Sequence, residues 1–209
     1  MTSQAPPGRA GRPWLLERVA TATHGVDLLR QKQQLLTREH RRLLRLREDT
    51  KREWDRACEE AEVWSSRADF LSGAAATRLV GATYAGRADV AISWRNTMGV
   101  LHPDQARVSA PDFATYERAA LNSAVGPSRD AHVRAMNAAA DHAVAESALR
   151  AIESELASAH RRLRAIEHDR LPALRDELHS LELRLDEVER EERLVTRWAA
   201  QRGEKGDRP

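Results

Sequence analysis

A chain of 209 residues can hold one large domain or two small ones, yet aromatic residues make up only 4% of it and charged residues 32%. With 10 glycines and 8 prolines besides, there is little material for a thick core and little punctuation for a sheet, whereas a few long, thin helices fit that composition. Lysine and arginine total 34 against 32 aspartates and glutamates, a net charge of +2 without the basic excess of a nucleic-acid binder.

Cys58 is the single cysteine, so no intrachain disulfide can form and the chain reads as cytosolic. No stretch free of Asp, Glu, Lys and Arg approaches the roughly 18 apolar residues of a membrane span. The segment Met1 to Gly11 lacks the apolar centre of a signal peptide. Any membrane contact is therefore expected to pass through a partner.

Residues 1–12, with Pro6, Pro7, Gly8 and Gly11, read as a flexible lead, and Pro13 suits the first turn of a helix. From 13 to 71 the apolar residues step alternately by four and three through Leu15, Val19, Ala22, Val26, Leu29, Leu36 and Leu43, which predicts one long coiled-coil helix. Gln33 and His40 occupy the same seam, where polar residues fix register at some cost in stability. The series continues through Leu46, Thr50, Trp54, Ala57, Ala61, Trp64, Ala68 and Leu71. An extra step of four at Thr50 to Trp54 is a stutter that locally unwinds the supercoil.

Residues 72–128 form a different middle, a small head. Gly73, Gly81 and Gly86 interrupt an alanine-rich segment that can hold only brief helices. Alternating apolar residues from Asp89 to Trp94, a turn at Asn96 to Gly99 and then Val100 and Leu101 predict a β-hairpin closed by Pro103 and Pro111. Ser109 with Asp112 resembles a capping box for a short helix to about Val125, after which Gly126-Pro127-Ser128 reads as a turn.

A second coiled-coil helix is expected over 129–200, with a tail over 201–209. Its seam runs through Leu149, Ile152, Leu156, Ala159, Leu163 and Ile166, skips one residue, and resumes as Leu171, Leu174, Leu178, Leu181, Leu185, Val188, Glu192 and Val195. Pro172 lies at the phase change and should bend the helix by removing a backbone donor. Two rods joined by a compact middle pair as an antiparallel hairpin, because a parallel pairing needs a connection as long as the rods. The fold class is thus all-α, a long two-helix coiled-coil hairpin with a small head of short helices and a β-hairpin. Setting Trp14 beside Trp198 places Trp54 opposite Ala157 and Ala159, and Trp64 opposite Ala148, so that large side chains meet small ones. The competing reading gives the alanine face to a third, short helix from the middle.

No motif for chemistry stands out. Gly81 to Gly86 has the glycine spacing of a phosphate loop, but Arg87-Ala88 stands where Lys and Ser or Thr would meet phosphate and magnesium. His160 and His168 are not spaced as two metal ligands one turn apart, and they read as surface residues. Cys58 has no adjacent histidine and reads as an inert thiol, buried or partly exposed near the seam. Glu182, Asp186, Glu187, Glu189, Glu191 and Glu192 interleave with Arg184, Arg190 and Arg193, which by itself describes a solvated, internally paired helix face.

Three segments together resemble the D subunit of the V/A-type rotary ATPases. They are Arg12-Pro13-Trp14-Leu15-Leu16 with Gly25, Leu28, Leu29, Lys32 and Leu35; Trp94 to Val100 with Pro103; and Pro172, Leu174, Leu178, Leu185, Asp186, Glu187, Glu189, Arg190 and Glu191. The resemblance covers most of residues 11 to 200 and keeps the order long helix, hairpin, long helix. It implies a non-catalytic central shaft that couples ATP hydrolysis or synthesis in a ring of A and B subunits to proton or sodium movement. The F subunit and the C rotor subunit, called d in other members, would be further partners, with no cofactor, no metal and a cytoplasmic, membrane-peripheral location. The partner-binding residues expected on this basis are Trp94, Asn96, Met98, Gly99 and Val100 in the hairpin and Leu185, Glu189, Arg190 and Trp198 in the closing helix. The alternative from the heptads alone is a coiled-coil scaffold that joins cytosolic partners without rotating.

Overall fold

The computed structural model describes residues 6–82, 87–110 and 122–206. After a 3-10 turn at Gly8–Ala10, helix α1 runs over Gly11–Ser72 without a break. At 1.5 Å per residue its 62 residues extend about 93 Å. Gly73, at φ 79°, ends it in a left-handed conformation whose N–H reaches the Asp69 carbonyl at 2.8 Å. Helix α2 (Ala74–Ala82), strands β1 (Asp89–Thr97) and β2 (Val100–Ser109), helix α3 (Val125–Arg164), a π-helical turn (Ala165–Arg170) and helix α4 (Leu171–Gly206) follow. The all-α class with a two-stranded antiparallel hairpin agrees with the sequence expectation.

The chain divides into two units, one of residues 1–33 with 158–209 and one of residues 34–157. In the first, Leu15 of α1 and Leu174 and Leu181 of α4 form the buried core, and Trp14, Val19, Ala22, Leu178 and Leu185 pack around it. Arg12 pairs with Glu182 and Arg9 with Glu192, both at 3.0 Å, so the first residues of α1 lie antiparallel to the middle of α4. In the second, Leu36 and Leu43 of α1 meet Ala148, Leu149 and Ile152 of α3, flanked by Leu44, Leu46, Leu156 and, from the hairpin, Val100.

The polar seam residues do what heptad packing asks of them. Gln33 hydrogen-bonds the His160 ring in the first unit, and in the second His40 meets Glu153 at 3.1 Å. At the stutter the Thr50 hydroxyl donates to the Leu46 carbonyl at 2.9 Å, and His142 Nδ1 lies 3.3 Å from its oxygen. Trp54 stacks on His142.

These contacts correct the expected register. Trp54 lies beside His142, not Ala157 or Ala159. The groove beside Trp64 is shared with Ser123 and Ala124, not Ala148. Trp198 is 68% exposed and does not face Trp14, which packs near Leu174 and Leu181. Heptads specify which face pairs but not the offset, and the ion pairs at Arg9 and Arg12 mark an offset in which α4 continues beyond the start of α1. Among the described residues, Ala148 shares its buried core with Leu36 and Leu43 of α1, and Val100 packs against that core.

Three local expectations also change. Gly126, Pro127 and Ser128 fall in the first turn of α3, where proline's missing N–H has no partner to lose, and Asn122 Oδ1 accepts from the Ala124 N–H at 2.8 Å just before it. The skip of one seam residue is a π turn, in which the Leu171 N–H reaches back to the Ile166 carbonyl. One extra residue per turn re-phases the apolar stripe, and Pro172 follows that turn directly. Helix α4 continues to Gly206, past the expected end of the rod. The short helix expected between Asp112 and Val125 and the loop residues Thr83 to Gly86 lie largely or wholly outside the described residues.

Candidate partner-binding surfaces

The hairpin is longer than its sequence pattern. Asp89 pairs with Ser109 and Thr97 with Val100, so β2 passes through Pro103 instead of ending there. Pro103 is tolerated because a two-stranded hairpin is all edge, and the pairing breaks step beside it: Trp94 pairs with Pro103 and Ser93 with Gln105, leaving Asp104 as the bulged residue. The bulge turns Asp104 toward Arg95, whose Nη2 lies 2.9 Å from its carboxylate.

One face of the hairpin is tied to α1. His102 is 1% exposed. Its Nδ1 lies 2.9 Å from the Pro103 carbonyl, so Nδ1 is the donor, and Nε2 lies 3.0 Å from the Thr97 hydroxyl oxygen. Beside it, Glu39 and Arg42 of α1 form a two-pronged pair, with contacts of 2.7 and 3.0 Å. The Arg42 hydrogen bonds hold the Glu39 carboxyl below its ordinary range, partial burial opposes that, and the charges of Arg42, His102 and Arg95 reinforce it. The Glu39 bond likewise raises Arg42, with help from Asp104. Two charges from the helix and two from the hairpin thus alternate in sign across the joint.

The other face is bare and apolar. Val90, Ile92 and Trp94 alternate along β1 onto one side, and Leu101, across from Asn96, joins them; their exposures run from 48% to 63%. At the tip, Met98 (φ 53°) and Gly99 (φ 84°) both have positive φ, the signature of a type I′ turn, and Asn96 Oδ1 accepts from the Gly99 N–H at 2.9 Å. Glycine accepts such an angle freely, while methionine is held there at a cost. Among the hairpin residues expected to bind partners, Trp94, Asn96, Met98 and Gly99 are exposed, and Val100 turns inward onto the Leu36 and Leu43 core.

The other expected residues belong to the first unit. Leu185 packs on the Leu15, Leu174 and Leu181 core. Glu189 accepts from Arg193 at 3.0 Å and Arg190 donates to Glu187 at 2.9 Å, so both charges are paired along their own helix. Trp198 stands exposed with Leu194 and Val195. Cys58, His160 and His168 are exposed. The quartet Glu39, Arg42, Arg95 and Asp104 and the buried His102 escape a sequence reading, since the helix pair and the hairpin pair come near each other only when two segments distant in the chain fold together. Val90 and Ile92 carried a signal in the strand alternation.

Among the described residues no helix is long and apolar enough to cross a membrane, and no cluster of three His, Cys, Asp or Glu side chains is placed to hold a metal ion. The model of the family described as the ATP synthase D subunit matches residues 15–200. The D subunit of the A-type ATP synthase of Methanopyrus kandleri is 27% identical over 179 residues, which cover 85% of this chain and 77% of that protein. With long helices before and after a β-hairpin in chain order and a family match over nearly its whole length, the chain belongs to the ATP synthase D-subunit family.

Proposed function

We propose that the chain is the central shaft of a V/A-type ATPase, a non-catalytic rotor that couples ATP hydrolysis or synthesis in a ring of A and B subunits to proton or sodium translocation. The observation that carries this reading is α1, a single uninterrupted helix of 62 residues flanked by antiparallel partners in each unit. A shaft needs continuous backbone hydrogen bonding along its length and faces that differ around its axis. The stutter at Thr50, the π turn before Leu171 and the one-sided hairpin supply such differences. A rod with unequal faces biases otherwise equivalent interfaces between open and closed states as it turns.

In this reading the apolar hairpin face and tip receive the F subunit or the C/d rotor subunit, and the exposed end of α4 with Trp198 enters the ring. The assembly is peripheral to the membrane on its cytoplasmic side. Co-expression with the A, B, F and C/d subunits tests it. Recovery of one assembly whose ATP-driven ion transport requires this chain supports the shaft, whereas recovery of the chain only as a homodimer supports a non-rotary scaffold.

A further inference from the structure

Of the eight arginines of α1 in the second unit, five are satisfied. Arg42, Arg47, Arg52 and Arg56 each meet a carboxylate three residues before or one after, and Arg67 lies over the Trp64 ring at 4.6 Å. Arg38, Arg41 and Arg45 are the exceptions. All three are exposed, and among the described residues none meets an acid or an aromatic ring.

Their spacing of three and four places them in one row on a single side of the helix, away from the seam residues Leu36 and Leu43. Like charges at these spacings repel, so the row costs the isolated helix free energy that no acid among the described residues offsets by direct contact. We infer that Arg38, Arg41 and Arg45 form a docking stripe for an acidic protein surface, a partner segment presenting Asp or Glu side chains along about 10 Å. Guanidinium forks match carboxylates two bonds at a time, and exposed charge complementarity sets partner choice and register. A polyanion such as nucleic acid fits less well, because exposed Glu48 and Asp49 close one end of the row and the chain as a whole carries a charge of only +2.

The inference rests on the shaft reading for its source of partners, and one experiment separates the two. The full chain is co-expressed with the soluble subunits of its own ATPase and purified at physiological salt, as wild type and as the triple variant Arg38→Glu, Arg41→Glu, Arg45→Glu. Thermal melting of the isolated variant should match wild type, because the stripe is exposed and a row of glutamates repels itself about as much as a row of arginines. Its retention in the assembly should fall at least about tenfold. In the single variant Arg41→Lys, carbodiimide should join the new amine to a carboxylate of a neighbouring subunit, located by mass spectrometry. Equal retention of the triple variant with no such cross-link overturns the stripe and leaves the shaft standing. Loss of binding to duplex DNA or anionic vesicles with the assembly intact also overturns it. Failure of the wild-type chain to assemble overturns the shaft reading and this inference together.

Discussion

The indole of Trp54 stacks on the imidazole of His142, with ring centroids 5.5 Å apart and planes 24° from parallel. Thr50, one turn back on α1, reaches the same ring. The stutter in the heptads is therefore filled by a tryptophan, a threonine and a histidine where a regular seam would place aliphatic residues. Trp54→Ala should cost about 2–3 kcal/mol in denaturant melts, since the half-buried indole leaves a partial cavity. Enlarging Ala159 should not recover the loss. In a Cys58→Ser background, cysteines replacing Trp54 and His142 should become linked under mild oxidation, while replacements at Trp54 and Ala157 should not.

Glu39→Gln removes the negative charge and one of the two acceptor oxygens that hold Arg42, and weakens the charge quartet at the root of the hairpin. The pair is partly solvated, so the expected cost is about 1 kcal/mol, read as faster amide exchange in residues 89–109 with the long helices unchanged. Because folding lowers the Glu39 pKa, its stabilisation is complete above the ordinary value of 4.5 and is lost as pH falls through the depressed folded value. Wild type should lose that increment in acid melts, whereas the variant lacks it at every pH. A parallel pH response of the two proteins would contradict the assignment.

Met98→Asn should relieve the positive φ at the turn and stabilise the hairpin by about 1 kcal/mol. Gly99→Val should do the opposite, since a β-branched residue opposes φ 84°. If the Met98 side chain is kept for docking, the asparagine variant melts higher yet binds the rotor partners more weakly in pull-downs. Unchanged binding would leave the strained methionine without a role at the tip.

Deleting His168, an exposed residue of the π turn, should convert the turn to α-helix and shorten the step from Ile166 to Leu171 to a regular four. Leu174 and Leu181 then stay on the face that meets Leu15, and the first unit should melt within about 1 kcal/mol of wild type. A deletion mutant that loses several kcal/mol would show that the π turn does not set the phase.

The periodicities carried the fold class because each element buries one face: steps of three and four gave the long helices, and alternation gave the hairpin. The skip between Ile166 and Leu171 was equally visible, although a π turn and a proline bend leave the same trace in a sequence. Offset was not legible. Trp14 and Trp198 looked like matching ends, yet α4 outruns α1 and leaves Trp198 in solvent. Nor could a pattern of alternation carry β2 through Pro103, which depends on a bulge at Asp104 and on an ion pair with Arg95.

Rotation is the central claim, and the exposed single cysteine offers a handle for observing it. With the A and B ring immobilised and a bead attached through Cys58 on α1, addition of ATP should drive stepwise rotation in one direction. A bead that stays fixed while the same assemblies continue to hydrolyse ATP would contradict the shaft.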